Sequence, residues 1–466
     1  TLQTEPGDPI TTAPTLPYRA YYAEGFASSL TSTYVPILNP HNQSARVVVI
    51  ARYENGVRDE VLRDITIAPN SRGGLTLTDP TLFANDTLLV RKNTPYAIEV
   101  RSSLPVAANF SHYDLFQLAG ARSALGEAFT NRTDETWTFG NVIKGQGVRD
   151  YLLFQNTSDS VIKITTTFFS TTSSDVFTIT QDVAPYRRSG IDVRNVTVFD
   201  EGENPVSLPN GSYGVLVQAL DRIVAVHSHY DRSTGSASGQ SGTPGAGATV
   251  GAVPEGEIGL NADSERIGIV NTNTSTATVL FSFLFQNGTS YRTSVTVPAQ
   301  RRGELNVATL PNFPSGQPYS VFFESDVPVS MSLPTAAFGD EFSTAFSDKA
   351  YTLWGFGEGF RPRNGTTVTE YLRLFNPAVS DVVVEITMLF DGGLGQETFR
   401  RTIGARSVQE FDIHEFVTGA RRNVRAFYGI MVKAATPIIA YMGHFDEFFP
   451  GGFGTLGTPL GTSLAL

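Results

Sequence analysis

The chain has 466 residues, 45 acidic against 34 basic side chains, a net charge of −11, 41% hydrophobic residues and no cysteine. That length exceeds one ordinary core and predicts about three to five domains. The acidic balance excludes the Lys- and Arg-rich partner surfaces that nucleic acid and anionic membranes require. The lack of cysteine excludes disulfides and thiolate metal sites.

The chain begins at Thr1 rather than Met, which points to a processed N-terminus. Residues 1–17 carry Pro6, Pro9, Pro14 and Pro17, so an extended arm is expected. From residue 18 onward four columns recur in the same order. The first is a strand ending at Asn39, Asn156, Asn271 and Asn376, at steps of 117, 115 and 105 residues. The second is a β-branched and aromatic run: Arg46–Tyr53, Ile162–Phe169, Thr278–Phe285 and Val382–Phe390. Three of these runs close on Asn55-Gly56, Asn287-Gly288 or Asp391-Gly392, dipeptides that supply the positive φ of a tight hairpin turn.

The third column places Arg72, Arg188 and Arg302 after an apolar–Ala/Pro turn, with Arg406 as a loose fourth member. The fourth is a Tyr-led alternating strand at Tyr96, Tyr213, Tyr319 and Tyr428 that runs into a second strand. Agreement of independent columns means duplication. Short alternating strands with a turn every 8–12 residues predict an all-β chain of four tandem antiparallel β-sandwich domains of immunoglobulin-like size. The predicted layout is an extended N-terminal arm 1–17, repeats at 18–117, 135–232, 249–342 and 351–449, a Gly/Ser-rich linker at 233–248 and a C-terminal connector strand at 450–466. One short helix is expected within Asp412–Val424.

Tyr21-Tyr22-Ala23-Glu24-Gly25-Phe26, the Leu-Asn-Pro and Phe-Asn-Pro strand ends and Ser325-Asp326-Val327-Pro328-Val329 resemble a tandem repeat of unknown function found in secreted and cell-surface bacterial proteins. Copies two and three lack the Tyr-x-Ala-Glu-Gly start. The resemblance implies an extracellular β-repeat protein and carries no catalytic residues.

No nucleophile elbow, zinc-helix motif or phosphate loop occurs, and no enzyme activity or cofactor is expected. His112, His229 and His444 share a repeat position, which marks them as structural; Phe338-Gly339-Asp340 is aligned with them in the third copy. His227 and His229 lie on one strand face, but no further His is near them in sequence. Asp200-Glu201-Gly202-Glu203 reads as a solvated loop. Asn-x-Ser/Thr sequons make Asn42, Asn85, Asn109, Asn131, Asn156, Asn195, Asn210, Asn273, Asn287 and Asn364 candidate glycosylation sites.

The C-terminal segment repeats the bridge that joins one copy to the next, with no copy to follow. Phe448, Phe449, Phe453, Leu456, Leu460, Leu464 and Leu466 are therefore candidate subunit contacts. The expected function is a structural subunit of a secreted filament, sheath or surface layer, a homopolymer joined head to tail by strand addition. The alternative is a cell-surface adhesin or carbohydrate-binding repeat protein whose partner is a surface glycan. No run approaches the length of a membrane span.

Overall fold

The computed structural model describes residues 14–54, 56–118, 121–363, 367–446 and 451–466. The first repeat sets the pattern with eight strands: β1 (Tyr18–Tyr22), β2 (Thr31–Asn39), β3 (Ala45–Tyr53), β4 (Glu60–Ile67), β5 (Ser71–Thr78), β6 (Tyr96–Ser102), β7 (Ala107–Leu118) and β8 (Ala121–Ala128). They form two antiparallel four-stranded sheets, in the orders β1-β6-β3-β4 and β5-β2-β7-β8. The same eight positions recur three more times, so the chain is four antiparallel β-sandwiches. In the later repeats β6 and β7 merge into one strand that crosses from sheet to sheet: Gly211–Asp231, Tyr319–Ala337 and Ala426–Asp446.

Alternation explains the sheets. Along β2, Val35 and Ile37 face the sandwich interior while Tyr34 and Pro36 face the fourth repeat. The strand-ending Asn is a buried staple in every copy. Asn39 Nδ2 donates to the carbonyls of Gln43, Ile67 and Ala68 at 2.8, 3.2 and 2.9 Å, while its Oδ1 accepts from His41 N at 3.1 Å. Asn156, Asn271 and Asn376 repeat this network. Replacing one staple strands several buried carbonyls, at about 1–3 kcal/mol each.

The repeats do not run as beads on a line; they close into a ring. The four copies of β8 are Ala121–Ala128, Ser236–Ser241, Asp340–Ala345 and Gly451–Leu456. They stand around one axis, each against the next, the fourth against the first. Asp340 ties the axis together: its carboxylate accepts from the backbone N–H of Ala124 (2.8 Å), Ala237 (2.9 Å), Glu341 (2.9 Å) and Gly452 (3.1 Å), one from each repeat.

Arginines clasp the boundaries. Arg188 Nε donates to Ala23 O (3.3 Å), Arg302 Nε to Gly140 O (3.0 Å), Arg373 Nη1 to Glu255 O, and Arg72 Nε to Gly357 O (2.9 Å). Each arginine reaches back to the preceding repeat, and Arg72 of the first repeat reaches the fourth.

Several expectations are corrected here. Much of the proposed linker at 233–248 is an internal strand, since Ser236–Ser241 pairs with Gly211–Asp231. Its small residues serve close approach, not flexibility: a Cβ on Gly239 would meet Tyr22 Oη at 2.6 Å, and one on Gly242 would meet the Phe139 ring at 2.8 Å. The eighth strand also carries each unit past the end read from sequence.

The C-terminal segment is not a free connector. Gly451–Leu456 pairs with Ala426–Asp446, and Thr458–Pro459 and Ser463–Ala465 pair with Lys349–Phe356. Phe453 is buried and stacks on His444, and Leu460 packs with Leu38, Ala107 and Leu389 between repeats four and one. Leu456 and Leu466 are partly buried against the fourth core, and only Leu464 is exposed. Phe448 and Phe449 lie outside the described residues. Terminal strand addition therefore loses its donor strand, whose backbone bonds are spent inside its own chain. In the N-terminal arm, Leu16 packs on Val48 and Ile50; residues 1–13 lie outside the described residues. The stretch expected to be helical carries two 3-10 turns, Ile413–Phe416 and Gly419–Asn423.

Candidate binding sites at the repeat boundaries

Where one repeat meets the next, the inner end of the first faces the outer face of the β5-β2-β7-β8 sheet of the second. Seven positions recur there. Between repeats one and two they are Glu24, Phe26, His112 and Asp114 facing Tyr151, Arg188 and Tyr230, around a cavity of about 330 Å³. Between repeats four and one they are Glu358, Phe360, His444 and Asp446 facing Tyr34, Arg72 and Tyr113, around a cavity of about 280 Å³. All seven residue types match. The tyrosine pairs also meet in the same way: Tyr151 and Tyr230 edge to face at 6.1 Å, Tyr34 and Tyr113 at 6.3 Å.

At the other two boundaries the set changes, and direct side-chain bonds occupy the equivalent positions. Between repeats two and three the first three positions are Asn141, Ile143 and His229, and Arg302 Nη2 bonds Asn141 Oδ1 at 2.8 Å. Between repeats three and four, Arg373 Nη2 pairs with Glu257 Oε2 at 2.8 Å, and Tyr371 Oη donates to Glu257 Oε1 at 3.0 Å.

Both cavities combine charged side chains with aromatic rings and are close to charge balance. The first also presents Arg149 and Arg232, and the second Arg425 and Asp391. Burial pushes the Glu24 carboxyl up, against the pull of Arg188 and His112. Arg149 Nε is buried without a hydrogen-bond partner. In the second cavity Ser111 Oγ donates to Glu358 Oε2 at 2.6 Å, and Tyr113 Oη and His444 Nε2 hydrogen-bond at 3.1 Å. Behind His444, its Nδ1 lies 2.6 Å from Glu370 Oε1. Burial opposes the charge on Glu370, but hydrogen bonds from His414 and His444 hold its carboxyl well below the usual range, and Glu370 in turn raises His444 over its own burial.

The shared histidine column is structural in part, as expected from its repetition. Each His faces a position on β2 or its equivalent: Thr33, Asp150 and Glu370. In the third copy the pair is Glu265 with Thr335, so Thr335, not Phe338, holds the His position. His227 and His229 share the Asp150 carboxylate, at 2.9 and 2.6 Å. Among the described residues, no group of three or more His, Asp or Glu is placed to hold a metal.

Two sequons are corrected. Asn156 is a buried staple, and Asn109 is buried with its Oδ1 accepting from Gly357 N, so neither amide can carry a glycan in the folded chain. Asn42, Asn85, Asn131, Asn195, Asn210 and Asn287 are exposed, and Asn273 is half-buried with its Nδ2 bonded to Pro328 O at 2.7 Å. Asn364 lies outside the described residues.

The boundary cavities were missed from sequence. Arg72, Arg188 and Arg302 recur on the outer face of their strand, where no core needs them, and that was the available signal.

No protein-family model and no curated protein matches the chain. Among solved structures, Thermotoga maritima 1070 is 27% identical over 22% of this chain and 94% of its own, with a TM-score of 0.21. The Anabaena sensory rhodopsin transducer is 19% identical over 20% of this chain and 92% of its own, with a TM-score of 0.17. The tetra-tandem repeat in the extending region of a large adhesion protein is 10% identical over 96% of this chain and 98% of its own, with a TM-score of 0.12.

Proposed function

We propose that this chain is a non-catalytic, saccharide-binding module of the adhesin class, displayed outside the cell, with its ligands seated in the two boundary cavities. The observation that carries the reading is the recurrence of one seven-residue set at two boundaries while it changes at the other two. Guanidinium groups only donate and carboxylates only accept, whereas each sugar hydroxyl does both. A wall that mixes Arg with Glu and Asp at near-zero net charge suits a neutral polyol better than a free anion or cation. The aromatic rings supply apolar faces for the C–H side of a sugar ring. The volumes sit at the small end of ligand cavities, which fits a single ring. The extracellular placement rests on the repeat resemblance in the sequence.

A glycan array followed by calorimetry tests this. The expected result is a defined glycan, bound by a monomer of 50.4 kDa and recovered uncleaved. A blank array, or product release from the bound sugar, contradicts the proposal. Long polymers on size exclusion would instead return the filament reading.

A further inference from the structure

The two cavities lie on opposite faces of the same strands. Along β7, Ser111 and Tyr113 line the cavity shared with repeat four, while His112 and Asp114 line the cavity shared with repeat two. Along β2, Tyr34 and Pro36 face the first of these and Thr31 the second. Thr33 joins that second side, with its Oγ1 2.8 Å from His112 Nδ1. The alternation is the ordinary two-residue period of a strand. Its consequence is that one layer of backbone separates the two sites.

We infer that the two sites are energetically coupled through β2 and β7, so that filling one changes the affinity of the other. This rests on the reading of both cavities as ligand sites and names how they regulate each other. Ladder bonds hold β7 between β2 and β8, so Tyr113 cannot shift without carrying His112 and Asp114. Tyr113 is also tied forward to His444 in the second cavity, so a ligand there that displaces the Tyr113–His444 bond acts on the strand directly. Charges on both faces, the buried Glu24 and Arg188 on one and the buried Glu358 with the half-buried Arg72 on the other, add an electrostatic route through a poorly screened layer. Coupling is reciprocal by linkage.

The chain has no cysteine, so a single introduced thiol gives a defined occupant. Thr76 lines the second cavity from β5, opposite Tyr34. N-ethylmaleimide on Thr76→Cys fills that cavity without any sugar. The expected result is a shift of the His112 ring resonances and a change of about fivefold or more in amide exchange at Glu24–Phe26. The same label on Leu220→Cys, exposed at the rim of repeat two, should change neither. The reciprocal label on Arg149→Cys, in the first cavity, should shift the His444 ring, and it serves as the test if Thr76→Cys does not fold. An unmoved distal site in the labelled variants overturns the coupling. A blank glycan array would overturn the saccharide reading while leaving this result intact.

Discussion

Two of the four boundaries keep one residue set around a cavity and two are bridged by side chains, although all four use one scaffold. At the boundary of repeats three and four, Arg373 has 0% exposed side-chain surface and its guanidinium reaches Glu257, Glu410 and the backbone of the preceding repeat. At the boundary of repeats four and one, Arg72 still clasps Gly357 and Tyr113 meets His444, but Glu358, His444, Tyr34 and Tyr113 line a cavity of about 280 Å³. Four identical joints would serve architecture alone. Two joints bridged by an Arg302–Asn141 bond or an Arg373–Glu257 pair, and two with matching walls around a cavity, separate holding the ring from binding within it.

The largest expected effect separates the axis from the boundaries. Glu127, on the axis beside Thr455, is pushed by burial up to about 8 from 4.5. Its folded pKa lies above its unfolded one, so the fold holds the proton more tightly than the unfolded chain. That contribution is full below about pH 4.5 and is lost as pH rises through about 8. Glu127→Gln should keep it at all pH, gaining on the order of 5 kcal/mol over the native chain at pH 9 and nothing at pH 4. Parallel stability–pH curves for the two proteins would refute this.

The next effect breaks a bridged boundary. Arg373→Ala leaves Glu257 buried beside no cation and should cost about 4 kcal/mol in chemical denaturation. A cost below about 1 kcal/mol would mean that this boundary is not held by its ion pair.

Arg72→Ala comes third. It should cost about 2 kcal/mol, through a stranded carbonyl on Gly357, and remove one of two bound sugars. Arg188→Ala should do the same at the other hollow boundary. The smallest stability effect sharpens the contrast. Tyr151→Arg with Tyr230→Ala copies the residues of repeat three, Arg266 and Ala336. It should lower stability by about 1 kcal/mol or less and halve the binding stoichiometry in calorimetry.

The sandwich fold was legible because its signals are local: Asn staples, tight-turn glycines and two-residue alternation each repeat within a copy. Alignment failed where one copy departs from the others. Arg406 was matched to Arg72, yet it is the turn residue at φ 46°, equivalent to Asn70, Tyr186 and Gln300 at 46°, 56° and 50°. Val408 occupies the arginine position, and Arg373 replaces its function from a different strand. The third copy's Glu255-Gly256 keeps the Glu-Gly of Glu24-Gly25, and a Cβ on either glycine would strike Tyr319 or Tyr96. That match was missed because the residues before it differ. Ring closure was not legible, because contact between the first and fourth repeats leaves no period along the chain. The Gly/Ser run showed why composition misleads: small side chains were needed where four strands converge, and the same residues suit a flexible linker.

The central claim is the closed ring, and small-angle X-ray scattering of the full chain tests it most directly. A compact unit of this length has a radius of gyration of about 23 Å, whereas four such domains strung in a line give about 40 Å or more. The account predicts the smaller value, unchanged with concentration; the larger value would contradict it.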